Sequence, residues 1–405
     1  DLDYWIGTVG QLCNWGSFIK EEIETDQNTD SMVIHVSTTG SDSTGDGSEE
    51  NPFATIQTAI DSASDGDSIL VAAGTYLENV NINKNIILTS TSGPENTIID
   101  GNQNGRVITL DGNATSNSDM KIIGFSIQNG NTNEHVGGGG IYVSDRSVVV
   151  ENCFIMNNST SSPSMGGGGF CIWSGDDTEV KVIIKSSLIA NNTSEGWSTE
   201  WDGGGWASAI WIPDMRNASD SISIINTTFS GNQGEVLVAF GNIECPLTLN
   251  SSIIWDNSSN NISASNPLIA SFSNIQGGGY EGEDNIDANP LFCDPDNGDY
   301  TLAENSPCIG TGENGANMGA FGVGCGTIIL APVLLDIAFD QQIYEDDSLT
   351  IVVSATSDIN ASMSFTATSD TSDVSVTMDS TTLTATPAPD WNGSSLITVI
   401  VIDEN

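Results

Sequence analysis

Carboxylates dominate the reactive chemistry this chain carries. Asp42, Asp46, Asp294, Asp296 and Asp299 stand in short Asp/Gly/Asn loops, oxygen-rich turns of the kind that hold calcium. None has the full EF-hand or nonapeptide spacing, so calcium is the one cofactor suggested, without a complete site. With only His35 and His135, and no Cys-x-x-Cys pair, zinc spacing is absent. A different chemistry is offered by residues 192–202, which read NTSEGWSTEWD and carry Trp197 and Trp201, with Trp206 and Trp211 just beyond. Indole rings on a polar loop can stack on sugar rings or anchor a protein partner; they can equally pack the loop onto its own scaffold.

The charge balance narrows the partners. Only 8 Lys plus Arg face 54 Asp plus Glu among 405 residues, a formal net charge of -46. Nucleic-acid binding needs a basic face that releases phosphate counterions, which eight scattered cations cannot build. Docking on an anionic leaflet is disfavoured for the same reason, and no apolar run approaches the roughly 20 residues of a membrane-spanning helix. The acidic excess itself reads as solvating decoration that keeps a secreted chain soluble. About a dozen Asn-x-Ser/Thr triplets occur, close to what so Asn-, Ser- and Thr-rich a chain produces by chance.

Whatever the chemistry, a repeat must position it. Residues 152–157 read NCFIMN, 186–191 SSLIAN, 227–232 TTFSGN and 252–257 SIIWDN. Phe154, Leu188, Phe229 and Ile254 stand three before Asn157, Asn191, Asn232 and Asn257. Glycine runs recur between them, GGGG at 137–140, GGGG at 166–169 and GGG at 203–205, each leading into a β-rich segment. Such a pattern predicts a β-solenoid, with coils stacked about 4.8 Å apart. The four apolar residues are expected inside at one phase, and the four Asn as a ladder of amides. Inserts at 130–136, 158–165 and 192–202 share a phase and project from one side. That side carries Glu134, His135, Glu195, Glu200 and Asp202 beside the Trp residues, a candidate groove.

A solenoid needs its ends covered. Residues 51–63 supply an amphipathic cap helix, opened by Pro52, with Ile56, Ala59, Ile60 and Ala63 on one face. The run HVSTTGSD at 35–42, then GDGSEENPFATIQTAI at 45–60 and GDSILVAAGTY at 66–76, resembles the opening of secreted bacterial right-handed parallel β-helix proteins of the pectate-lyase-like superfamily. The closing residues match as well: NPLFCDPDNGDYTL at 289–302, SPCIG at 306–310 and GAFG at 319–322. The resemblance spans about residues 33–326 and implies the fold; lyases, hydrolases and adhesins share it. A lyase of that superfamily would need calcium on carboxylates and a Lys or Arg base. Lys84, Arg106, Lys121, Arg146, Lys181, Lys185 and Arg216 belong to no lyase motif, and Asp176-Asp177 alone does not make the hydrolase set.

From about residue 331 the chain alternates in short strands with turn signals roughly every 10 residues, a β-sandwich pattern. EDD at 345–347, ATSD at 355–358 and PDWNGS at 389–394 resemble cadherin-like or bacterial Ig-like repeats. Such a module expects one strand beyond 396–402, supplied by further tandem modules after Asn405 or by another chain. Residues 1–32, with Trp5, Cys13 and Trp15, resemble nothing recognised.

Seven Cys are present. Cys293, Cys308 and Cys325 fall in the terminal coil, where one bridge would staple the open end; Cys293–Cys308, closing a loop of roughly 15 residues, is the expected pairing. Cys153 and Cys171 are expected as buried thiols. The sequence therefore predicts an all-β chain: a right-handed parallel β-helix with an N-terminal cap helix (residues 33–326), followed by an Ig-like β-sandwich (331–405). The expected role is non-enzymatic, extracellular or at the cell surface: adhesion, carbohydrate or surface-protein binding, or self-assembly. A polysaccharide lyase or glycoside hydrolase is the alternative.

Overall fold

Three columns of apolar side chains run the length of the first unit, one from each face of a coil. On the first face Ile34, Ile69, Leu88, Ile122, Val150, Ile184, Ile224, Leu249 and Ala270 lie in direct parallel register. On the second the column is Tyr76, Ile99, Ile127, Ile155, Ile189, Phe229, Ile254 and Ile275. On the third it is Val80, Ile108, Ile141, Phe170, Ile210, Leu237 and Ile262. All but Ile262 are buried in one continuous core. One coil could not bury these residues alone; stacking at about 4.8 Å does it.

The computed structural model describes residues 31–404 apart from 112–119, 135, 162–165, 176–178, 196–206, 216, 218, 240–244, 260–261, 265–267, 331, 336–340, 345–346 and 357–361. Among these residues the chain divides into two units, Asp1–Gly326 and Thr327–Asn405. The first holds parallel sheets of nine, eight and seven strands, the second, third and later strands of each arriving from successive coils. It is a parallel β-helix. A small fourth sheet adds Asn131–Thr132, Ser159–Thr160 and Thr193–Ser194 between the second and third faces of three consecutive coils. No helix among the described residues is long and apolar enough to cross a membrane.

Two predicted columns are shifted by one residue. Phe229 and Ile254 point inward, but in the other two coils the inward residues are Ile155 and Ile189, while Phe154 and Leu188 face outward. Phe154 is half-buried and Leu188 buried because the terminal segment lies over them, with the Phe321 ring 5.7 Å from Phe154. The ladder shifts likewise: its rungs are Asn158, Asn192, Asn232 and Asn257, linked amide to amide at 3.2, 3.1 and 2.9 Å. Asn157 and Asn191 are instead exposed corner residues with φ of 56° and 55°, a left-handed backbone that Asn tolerates. Where NN stands in a coil, the first Asn turns the chain and the second bonds the neighbouring coil. A second ladder occupies the preceding corner, where the backbone N–H of Cys153 donates to Ser187 Oγ, that of Thr227 to Ser252 Oγ and that of Ser252 to Ser273 Oγ. Asn285 ends it by accepting from the Ser273 N–H.

Both ends are covered. The cap helix α1 runs Ile56–Ser62 and buries Ile56, Ala59 and Ile60 as expected. It starts later than Pro52 because Thr55 caps it, accepting from the Thr58 N–H, and because Asp42 holds the Ala54 and Thr55 N–H groups in the turn before it. The Glu78 carboxylate takes the Ile56 and Gln57 N–H groups at 2.9 Å each, and the Lys84 ammonium donates to the Ile60, Asp61 and Ala63 carbonyls at the other end. At the far end the Ala270 and Phe272 N–H groups donate to Glu281 and Glu283 carbonyls. Residues 305–321 then fold back along the outer second face, where Gly319 N–H donates to the Ser251 carbonyl and Ala320 N–H to Thr228 Oγ1.

The predicted bridge exists, with a different partner. Cys293 bonds Cys325, their Cα atoms 5.9 Å apart. Both lie on outer strands of a small sheet, Phe292–Asp294 and Val323–Cys325, that flank Asp299–Ala303. Cys308 points into the core under the folded-back segment, 3.1 Å from Asn274 Nδ2, and stays a thiol, as do buried Cys153 and Cys171. Among the described residues the second unit pairs its strands antiparallel, Val333–Leu335 with Ser354–Thr356, Leu349–Val352 with Thr382–Pro387, that strand with Val374–Asp379, and Ser362–Ser369 with Ile397–Glu404.

The uncompensated charge has a thermodynamic consequence. Self-repulsion among 54 carboxylates opposes the compact state and is screened by salt. The thermal midpoint should rise by roughly 2 °C or more between 20 mM and 500 mM NaCl; a midpoint that is flat or falls with salt would show that repulsion does not limit stability.

Candidate functional site

The fourth sheet exists because glycine lets it approach. A Cβ on Gly139 would overlap the Ser159 carbonyl, and one on Gly168 would overlap the Thr193 carbonyl. The glycine runs therefore form the backing against which the short strands lie. From inside, the Asn ladder fixes the same corner: Asn158 Oδ1 accepts from the Gly130 N–H, and Asn158 Nδ2 donates to the Ile127 carbonyl. Thr132 and Thr160 turn inward and are buried, while Asn131, Ser159 and Thr193 face out in register on three successive coils.

Over this sheet lies an open groove of about 430 Å³. Its lining consists of five amides (Gln103, Asn131, Asn157, Asn158, Asn191), four hydroxyls (Ser159, Thr160, Ser161, Thr193) and one carboxylate, Glu195. Glu195 is held by its backbone N–H, which donates to the Thr160 carbonyl at 2.8 Å. No cation is among these residues. Arg106, on the same side of the coils, is spent: Nη1 lies 2.9 Å from the Glu134 carboxylate, Nε donates to the Gly137 carbonyl, and the guanidinium sits 4.2 Å over the Tyr142 ring.

Of the residues expected on this side, Glu195 lines the groove and Glu134 is engaged with Arg106. His135, Trp197, Glu200, Trp201, Asp202 and Trp206 lie outside the described residues. Trp211 is not an exposed ring: it is 8% exposed and packs with Cys171, Val238 and Ala207 on the outer third face. The reason is register, since Tyr142, Cys171, Trp211 and Val238 stack as an outer apolar column. Burial raises the Cys171 thiol to about 12, which leaves it inert. The remaining groove residues leave one mark in the sequence, the polar pairs 131–132, 159–160 and 193–194 at one phase of the repeat.

Four of the five calcium candidates are engaged in local hydrogen bonds. Burial works to raise the Asp42 carboxyl, but hydrogen bonds from Thr55 and Ala54 outweigh it and hold it below the ordinary range. Asp46 accepts from the Ser48 N–H, Asp294 from Asn297 Nδ2 and Asp299 from the Thr301 N–H, while Asp296 lies within the 3-10 turn Pro295–Asn297. Among the described residues, no three His, Cys, Asp or Glu side chains converge as a metal ion would require. Three other described cations have structural duties. Arg146 is buried and donates to the Ile82 carbonyl and Asn85 Oδ1, and Lys181 and Lys185 pair with Glu179 and Glu151.

Fold and groove together define a parallel β-helix carrying an amide- and hydroxyl-lined furrow with one carboxylate, Glu195, on a short accessory sheet. Residues 38–90 match the family described as a protein of unknown function, DUF1565. A pectate lyase, Pel9A, is a structural neighbour at 15% identity and a TM-score of 0.41, covering 72% of this chain and 96% of its own. Comparison with curated proteins found no match.

Proposed function

We propose that this chain is a non-enzymatic extracellular β-helix that binds carbohydrate, serving adhesion or an extracellular assembly. The observation that carries this reading is the groove: seven neutral outward-facing side chains and one carboxylate over a rigid, laddered sheet, with Asn158 and Thr160 turned inward beneath them. Glycosidases of the common kinds need two carboxylates flanking the bond, and a lyase needs a cationic base within reach of the sugar proton; among the described residues the lining offers one carboxylate and no base. The Cys293–Cys325 bridge supports an oxidising, extracellular compartment. In this reading the helix is right-handed, as parallel crossovers overwhelmingly are, and the antiparallel second unit is an Ig-like spacer module. The covered coil ends argue against end-to-end stacking of solenoids as the mode of assembly.

The test is co-sedimentation of the purified chain with a panel of insoluble polysaccharides, with and without calcium, while reducing ends and unsaturated uronides are measured in the supernatant. Retention on at least one polysaccharide without product release is expected. Steady product release would establish the enzyme reading instead.

A further inference from the structure

We infer that the groove selects a neutral glycan chain, and against acidic ones, by reading several sugar residues along the coil axis. This rests on the carbohydrate-binding reading above and narrows it to a ligand class. Three features carry it.

The first is charge. An acidic sugar entering the groove would lose hydration beside Glu195 with no countercharge among the described lining residues. Arg106 cannot supply one, because its side chain is 12% exposed and already paired with Glu134. The field of the whole chain, at a net charge of -46, adds repulsion within a Debye length of about 8 Å.

The second is hydrogen-bonding type. Amides carry donors and an acceptor, and hydroxyls act as either. Such a set matches sugar hydroxyls, which also do both, better than it matches an acceptor-only carboxylate or sulfate.

The third is repetition. Asn131, Ser159 and Thr193 present outward-facing polar groups on consecutive coils, about 4.8 Å apart along the axis. Each further sugar laid along that line meets a further rung, so contacts accumulate with chain length. A monosaccharide in so open a furrow would bury too little surface to be held.

The test is calorimetric titration of the full chain with two oligosaccharide series of two to six units at one ionic strength, a neutral β-glucan series and an oligogalacturonate series. The neutral series should bind with affinity that climbs with length and then levels, at least tenfold tighter than the uronates at equal length. Ser159→Lys, at the middle rung, and Asn131→Lys, at an exposed rung, should each weaken the neutral ligand at least tenfold and narrow or reverse the preference. Circular dichroism would verify their folding. Equal or tighter binding of uronates, or lysine variants that leave neutral affinity unchanged, would overturn this inference while leaving carbohydrate binding intact. Absence of binding to both series and to the polysaccharide panel would sink both.

Discussion

Asn192→Leu is expected to destabilise the β-helix by about 4 kcal/mol, whereas Asn191→Gly, one residue earlier, should cost less than about 1 kcal/mol. The amide of Asn192 makes four hydrogen bonds in a site closed to solvent. Its Oδ1 accepts from the Asn158 N–H at 3.1 Å and from Asn158 Nδ2 at 3.2 Å. Its Nδ2 donates to the Ile155 carbonyl at 2.9 Å and to Asn232 Oδ1 at 3.1 Å. Leucine keeps the branching of the side chain but is bulkier, so some overpacking adds to the main loss, a buried backbone donor without a partner and three weakened neighbours. Asn191 is exposed with φ of 55°, where glycine is at ease. Urea denaturation of the two variants decides the register of the ladder. Comparable losses, or a larger one at Asn191, would place the rung where the sequence alone had put it. Hydrogen exchange adds a local readout, since the Asn158 amide should lose protection selectively in Asn192→Leu.

This pair of residues also shows what one sequence could and could not convey. Repeats of an apolar residue followed by Asn made the solenoid legible, and the SIIWDN and TTFSGN coils were aligned correctly. In the NCFIMNN and SSLIANN coils two Asn stand side by side, and the repeat pattern alone selects the first, one residue before the rung. A slip of one residue reverses every side chain between inside and outside, so Phe154 and Leu188 were assigned to the core although they face out. The error was invisible in composition because the outward positions are apolar too: the chain's own terminal segment covers them, with Met318, Cys308 and Phe321 packed against Leu188, Ile253 and Phe154. Coverage by residues more than a hundred positions away leaves no local mark. The groove was half legible for a similar reason. Inserts at a common phase point to the correct side, and Trp and acidic residues stand out in them, while the described surface is mostly Asn, Ser and Thr. Those residues are so abundant here that their functional use has no contrast against the background.

Removing the Cys293–Cys325 bridge by replacing both residues with serine is expected to cost between about 3 and 4 kcal/mol in the chain-entropy model, from a sequence separation of 32. The bridge closes the loop that contains the folded-back segment, so its loss acts on more than the unfolded chain. That segment is fastened by hydrogen bonds from Gly319 N–H to the Ser251 carbonyl, from Glu313 N–H to Ser251 Oγ and from Asn226 Nδ2 to the Asn317 carbonyl. Frayed from its base, it would uncover the outer apolar column of Leu188 and Ile253, and binding of a hydrophobic dye should rise in the double variant before global unfolding. Cys308 does not take over the pairing: burial pushes its thiol up to about 11, so little thiolate is present to attack. The connectivity can be mapped independently of stability. No Lys or Arg follows Arg216, so trypsin cannot separate the three cysteines, but cleavage after Glu304 and Glu313 does. Non-reducing digestion should yield a peptide carrying Cys293 joined to one carrying Cys325, with Cys308 recovered alkylated. A Cys293–Cys308 peptide, or a double variant as stable as the parent, would overturn the assignment.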